Sequence, residues 1–163
     1  MKPSPFTYHR PSTVDETVEM LAALGATGKV LAGGQSLVPL MSMRLAAPEN
    51  LVDINHLPGL DAVEVDDSVV RVGALARHSD VERDEQAYAA VPLLRQALVQ
   101  VAHPTIRNRG TTVGSLVHAD PAAEMPAVLA LLDGAVELRS VRGSRSVPAA
   151  AFFVGPMESV TAP

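Results

Sequence analysis

Apolar residues recur at Val14, Val18, Leu21, Ala22 and Leu24, the spacing of one helical face, and Gly25 stops the run. Thr13 followed by Glu16 has capping-box spacing, so a first helix is predicted to start there. The Pro-rich residues before it carry Phe6 and Tyr8 and read as an extended arm laid on the body of the fold. Past a turn at Gly28, Lys29-Val30-Leu31-Ala32 reads as a buried strand, and Gly33-Gly34-Gln35-Ser36 leads into an apolar segment, Leu37 to Leu45, with the length of a short helix. Leu51-Val52-Asp53-Ile54 reads as a second strand bracketed by Pro48 and Pro58. Alternating helix and strand predicts a small parallel α/β unit over residues 1–57.

The pattern changes from Leu60 onward. Ala62-Val63-Glu64-Val65 and Val69-Val70-Arg71-Val72 flank Asp66-Asp67-Ser68 with near-alternating polarity, a hairpin signal. Ser79 and Glu82 repeat the capping-box spacing, and Tyr88 to Ala102 keeps a helical period with Pro92 near its start. His103 to Ser115 reads as a connection rich in turn-forming residues, and Glu124 to Leu132 as a short apolar helix. Ala135 to Val141 and Ser146-Val147 form a second hairpin around Arg142-Gly143-Ser144. Residues 58–163 are thus predicted to be a second, α+β unit.

Composition narrows the function. The 163 residues fit one domain or two small subdomains, and 47% hydrophobic with 19% charged residues is a folding composition. Formal net charge is -5 without a basic run, which argues against nucleic acid as a partner. With no cysteine, the chain can supply neither a disulfide nor thiolate ligands for zinc or an iron–sulfur cluster, so any such centre must sit on another chain. No apolar run approaches the ~20 residues of a membrane span, and the N-terminus lacks a signal-peptide core, so the expected location is cytoplasmic.

Two glycine loops carry the candidate chemistry. Consecutive glycines in Ala32-Gly33-Gly34-Gln35-Ser36 permit positive φ, so successive N–H groups can converge on an anion at the start of the following helix. Gly110-Thr111-Thr112-Val113-Gly114-Ser115 alternates hydroxyls and amides with glycines and could grip the other half of a pyrophosphate. Neither matches a standard dinucleotide or P-loop fingerprint, and either loop alone is also read as an ordinary turn. Asp120, followed by Pro121, reads as a helix cap, leaving Glu124 as the carboxylate for a ribose. Arg107 and Arg109 are open to two readings, phosphate contact or pairing with carboxylates. His103, His118, Asp120 and Glu124 fit no metal-ligand spacing. His9, His56, His78, Met41, Met43 and Asp66-Asp67 are assigned structural roles.

Six blocks in order resemble one family, the FAD-binding (medium) subunits of molybdenum hydroxylases, as in carbon monoxide dehydrogenase medium chains and the flavin domain of xanthine dehydrogenase. They are Phe6 to Pro11, Ala32 to Leu37, Leu51 to Asn55 with Pro58-Gly59-Leu60, Gly73 to His78, Ile106 to Thr111, and Ser115 to Glu124. The resemblance implies an α+β, PCMH-type (vanillyl-alcohol-oxidase-like) FAD-binding fold of two α/β subdomains with FAD extended between them. It implies pyrophosphate binding, chiefly by backbone N–H groups, at Lys29, Val30, Leu31, Ala32, Gly33, Gly34, Gln35 and Ser36 and at Gly110, Thr111, Thr112, Val113, Gly114 and Ser115. It places Ala102 and His103 near the flavin and Glu124 on the FAD ribose.

The implied function is an FAD electron-transfer subunit with no catalytic side chain of its own. It would work with a molybdopterin-binding large subunit and a [2Fe-2S] small subunit, and pass electrons to an external acceptor. FAD would be noncovalent, since no cysteine is available for a thioether. Two departures stand out. Where the family reads Thr-Ile-Gly-Gly, this chain has Val113 in place of the first glycine, so the loop is expected to be extended there or to contact phosphate differently. Family members also continue for roughly another hundred residues, an ordinary domain, so the chain reads as truncated, split or a fragment, with the C-terminal family domain absent and the second subdomain's last strand expected to be missing. The rival readings are a truncated nucleotide-binding or assembly module that no longer retains FAD, and a self-sufficient flavin oxidase.

Overall fold

The computed structural model describes residues 2–67 and 69–161. Its first part is a three-stranded parallel sheet, β1 (Thr7–His9), β2 (Gly28–Leu31) and β3 (Asn50–Asp53), in the order β1-β3-β2. Part of the expected extended arm is therefore a sheet strand. Helix α1 (Val14–Leu24) crosses from β1 to β2 and α2 (Leu37–Ser42) from β2 to β3. The central strand β3 buries Leu51, Val52 and Asp53, as a strand flanked on both edges must.

Thr13 caps α1 by accepting from the Glu16 N–H at 3.1 Å, but the Glu16 carboxylate reaches past Thr13 to the Ser12 N–H and hydroxyl. The box is thus widened by one residue. Gly25 ends the helix at φ +53.

Beyond the sheet, β4 (Val63–Asp66) and β5 (Val69–Val72) form the first antiparallel hairpin. Ser68, expected in its turn, lies outside the described residues, as do Met1, Ala162 and Pro163. Helix α3 (His78–Arg83) is capped at Arg77, two residues before the expected cap Ser79, and its Asp80 carboxylate accepts from the Arg77 N–H at 3.2 Å. The single helix expected over Tyr88 to Ala102 is instead α4 (Glu85–Ala90) and α5 (Pro92–Leu98). Pro92 takes the first helical position of α5, where its missing N–H costs nothing. The expected connection after His103 holds a one-turn helix, α6 (Pro104–Arg107), and the start of α7 (Thr112–His118).

Helix α8 (Glu124–Leu131), the hairpin β6 (Ala135–Ser140) and β7 (Gly143–Pro148), α9 (Ala149–Phe152), β8 (Phe153–Gly155) and β9 (Glu158–Ser159) complete the chain. The larger core gathers Val81, Leu98, Leu116, Met125, Val128, Val136, Val147 and Phe152, with Phe152 and Leu98 wholly buried. A smaller cluster, Ile54, Leu57 and Leu75, lies with Val14, Ala32 and Leu60 where the sheet meets the rest. The last strands are tied to α7: the Met157 N–H donates to the Ala119 carbonyl at 2.9 Å and the Ser159 hydroxyl to that of Val117 at 3.3 Å.

Candidate functional site

The chain leaves β2 at Leu31 and turns through Gly33 to Ser36 before α2 begins. Gly34 holds φ +69, a conformation L side chains rarely adopt. Gly33 answers a different need. A Cβ there would lie 2.4 Å from the Arg109 carbonyl oxygen and 2.9 Å from the Thr111 nitrogen, so only glycine lets the first loop close on the second. The two loops identified in the sequence are in direct backbone contact. The N–H groups of Gly33, Gly34, Gln35 and Ser36 donate to no acceptor among the described residues, while the Gln35 side chain donates to the Gly33 carbonyl at 3.0 Å.

The second loop is the first turn of α7. Thr111 caps it, its hydroxyl accepting from the Gly114 N–H at 3.1 Å and its carbonyl from Ser115 at 3.1 Å. The Thr112 N–H donates to the Ala76 carbonyl at 3.2 Å and that of Gly110 to Ile106 at 2.7 Å. The N–H groups of Thr111 and Val113 donate to no acceptor among the described residues. Val113 is helical, so the extended backbone expected from its missing glycine is not found, and no positive φ is required there.

His78, 4% exposed, stands behind this loop. Its backbone N–H donates to the Gly110 carbonyl at 3.0 Å, its Nδ1 lies 3.2 Å from the Thr112 hydroxyl, and its ring would crowd a Cβ at 110, at 3.0 Å. Burial, followed by the nearby Arg107 charge, pushes its pKa down to about 4, with Glu82 opposing, so the imidazole is neutral near pH 7.

A polar chain links the loops from behind. Arg77 donates from Nη1 to the Arg109 carbonyl at 2.6 Å and from Nη2 to Asn55 Oδ1 at 2.7 Å. Asn55 Nδ2 lies 2.9 Å from the Ala32 carbonyl, 3.3 Å from that of Leu31 and 2.7 Å from Asp53 Oδ1. Burial works against ionisation of Asp53, but hydrogen bonds from the Tyr8 hydroxyl and from Asn55 outweigh it, with His56 adding to them, and its pKa lies below the usual carboxylate range. Sequence reasoning missed Asn55 and Arg77 as site residues, although both lie in blocks that carried the family resemblance.

The other expected residues divide. Ala102 (φ +41) and His103 are exposed at the far end of α6, a helix about 6 Å long, from the second loop. Arg107 takes the pairing reading, with Nε 2.7 Å from Glu82 and Nη1 3.0 Å from the Val101 carbonyl, while Arg109 makes no ion pair among the described residues. Asp120 accepts from the Ala122 N–H at 2.9 Å and closes a turn; the helix it was expected to cap begins only at Glu124, with Ala123 before it. The half-buried Glu124 carboxylate accepts no hydrogen bond among the described residues, and Lys29 is exposed and unpaired among them. Two other concavities, about 360 Å³ beside Asp15 and Arg139 and about 270 Å³ beside Pro121 and Phe153, touch neither loop.

Unspent, clustered backbone donors beside a glycine too crowded for any Cβ are the donor set a diphosphate requires. That fold and cradle have the form of an anion-binding α+β domain. Comparison makes the class specific: residues 4–163 match the family described as FAD binding domain in molybdopterin dehydrogenase, and the chain belongs to it. The chain is 45% identical over 148 residues to the 6-hydroxypseudooxynicotine dehydrogenase complex subunit alpha of Paenarthrobacter nicotinovorans, covering 91% of this chain and 50% of that one. It is 40% identical over 155 residues to the carbon monoxide dehydrogenase medium chain of Hydrogenophaga pseudoflava, covering 95% and 54%. The solved carbon monoxide dehydrogenase from Oligotropha carboxidovorans superposes with TM-score 0.96 at 34% identity, over 100% of this chain and 57% of that one. The family is one of FAD-binding oxidoreductase subunits, and the α+β FAD-binding fold expected from the sequence is the fold found. The chain spans about half the length of the curated relatives it matches. Among the described residues no helix is long and apolar enough to cross a membrane.

Proposed function

We propose that this chain forms the diphosphate-binding part of the flavin subunit of a cytoplasmic molybdenum hydroxylase, with subdomains at 1–57 and 58–163. Its partners would be a molybdopterin-binding large subunit and a [2Fe-2S] small subunit. When bound, FAD supplies the redox chemistry, accepting electrons from the partner iron–sulfur clusters and giving them to an external acceptor. The chain's own residues bind and orient. Gly33 to Ser36, with Thr111 and Val113, donate backbone N–H groups to the diphosphate; Glu124 accepts from ribose hydroxyls; Ala102 and His103 flank the flavin end. No side chain moves a proton.

One observation carries this reading: Gly33 rests on the backbone of Arg109 to Thr111, which brings both donor sets to one place. The test is flavin retention by the purified chain, read as absorbance near about 450 nm, a property of the isoalloxazine itself. Native protein is expected to be yellow, and Gly33→Val and Gly114→Val to lose colour. Unchanged flavin content in both variants would refute the site.

A further inference from the structure

We propose that Arg77 and Asn55 are positioning residues that hold the two glycine loops at diphosphate-binding distance, a role resting on the site reading above. Both are expected to act through the loops and not on the cofactor: the Asn55 amide hydrogens and one N–H from each terminal nitrogen of Arg77 are directed at acceptors within the protein. Arg77 commits one guanidinium nitrogen to the Arg109 carbonyl and the other to Asn55, while Asn55 reaches the carbonyls of Leu31 and Ala32. The two ends of this relay are the last carbonyls before Gly33 and before Gly110. One of them, the Arg109 oxygen, is also the atom Gly33 packs upon.

Geometry gives the relay its consequence. No cis peptide occurs among the described residues, and in a trans peptide the C=O and the next N–H point in opposite directions. With the Ala32 carbonyl drawn toward Asn55, the Gly33 N–H is turned away from it, and that N–H is one of the unspent donors. The carbonyls that would repel an anion are gathered on one side and the amide is left for the other. A guanidinium suits this place because its planar fork serves two acceptors at once; an ammonium lacks that geometry. Asp53, held by Tyr8 and by both nitrogens of Asn55, fixes the asparagine in turn.

The test measures dissociation constants of FAD and of ADP, which carries the diphosphate without the flavin, by equilibrium titration of the full chain, with melting temperatures alongside. Arg77→Ala and Asn55→Ala are each expected to weaken both ligands about 10- to 100-fold, the usual scale when a supporting residue behind a binding group is lost. FAD and ADP should lose the same factor, and the double variant should be no weaker than the worse single one, since the relay acts as a unit. Arg77→Lys keeps the charge and loses the fork, so it should lose about 3- to 10-fold; it carries the test if Arg77→Ala does not fold. Unchanged affinities in folded Arg77 variants, or losses that multiply in the double variant, overturn the positioning role and leave the site reading standing. Native protein that binds neither FAD nor ADP overturns both.

Discussion

Between residues 33 and 36 the backbone turns out of a parallel sheet with four N–H groups unspent, whereas between 111 and 115 three of five are already committed to the protein's own caps and bridges. The first loop is shaped by what it cannot hold, a Cβ at Gly33 and an ordinary φ at Gly34. The second is shaped by what it accepts: the Thr111 hydroxyl inside its first turn and the buried His78 behind it. Two stretches that look alike in composition therefore have different tasks. In the proposed site the first would be the principal donor, and the second chiefly the wall against which it is set.

Substitution should expose that asymmetry most strongly at Gly33. Gly33→Val drives a side chain into the Arg109 carbonyl and should weaken FAD binding by more than about 100-fold, read from the flavin-to-protein absorbance ratio of the purified chain. Gly114→Val meets the Thr111 hydroxyl instead of backbone from another segment, so its loss should be smaller, about 10-fold. Equal losses would break the comparison.

Acid should act on the wall first. The His78 imidazole resists protonation in the folded chain down to about 4, whereas unfolded it titrates near 6.5, so the unfolded chain takes up the extra proton between those values. Its contribution to stability is whole above pH 6.5 and falls as pH drops toward 4, by about 3 kcal/mol. Urea unfolding at pH 7 and pH 4.5 should show this loss, and His78→Leu should flatten it.

Smaller effects belong to the cap and to Val113. Thr111→Ala removes the α7 cap and should cost about 1 kcal/mol in denaturant unfolding while changing FAD affinity less than about 3-fold. Val113→Gly restores the residue common in the family. Because residue 113 is helical, it should lower stability by about 0.5 kcal/mol and leave FAD affinity unchanged. A large gain in affinity would mean that the second loop must rearrange to bind.

Much of this was legible where local chemistry dictates the outcome. Thr13 and Gly25 mark the ends of α1, the two hairpins carry alternating polarity, and the consecutive glycines announce the first loop. The second loop has the composition of a connection, since Gly, Thr and Asn dominate it; a threonine cap three residues from its partner and the His78 wall make it helical, and only the second of these is a long-range contact. The break at Pro92 and the shifted start of α3 turn on single residues whose neighbours decide the outcome. Residues after Pro148 gave little pattern, yet Phe152 is wholly buried and β9 is tied back to α7. The Asn55–Arg77 relay joins residues 22 apart in sequence, and only the folded chain shows that it ends on both loops.

Amide nuclear magnetic resonance of the labelled chain during titration with ADP reads these donors one by one. The N–H signals of Gly33, Gly34, Gln35 and Ser36 should move most, followed by Thr111 and Val113, while those of Thr112, Gly114 and Ser115, already bonded within the protein, move little. Saturable binding that leaves the signals of residues 33–36 in place would contradict the account.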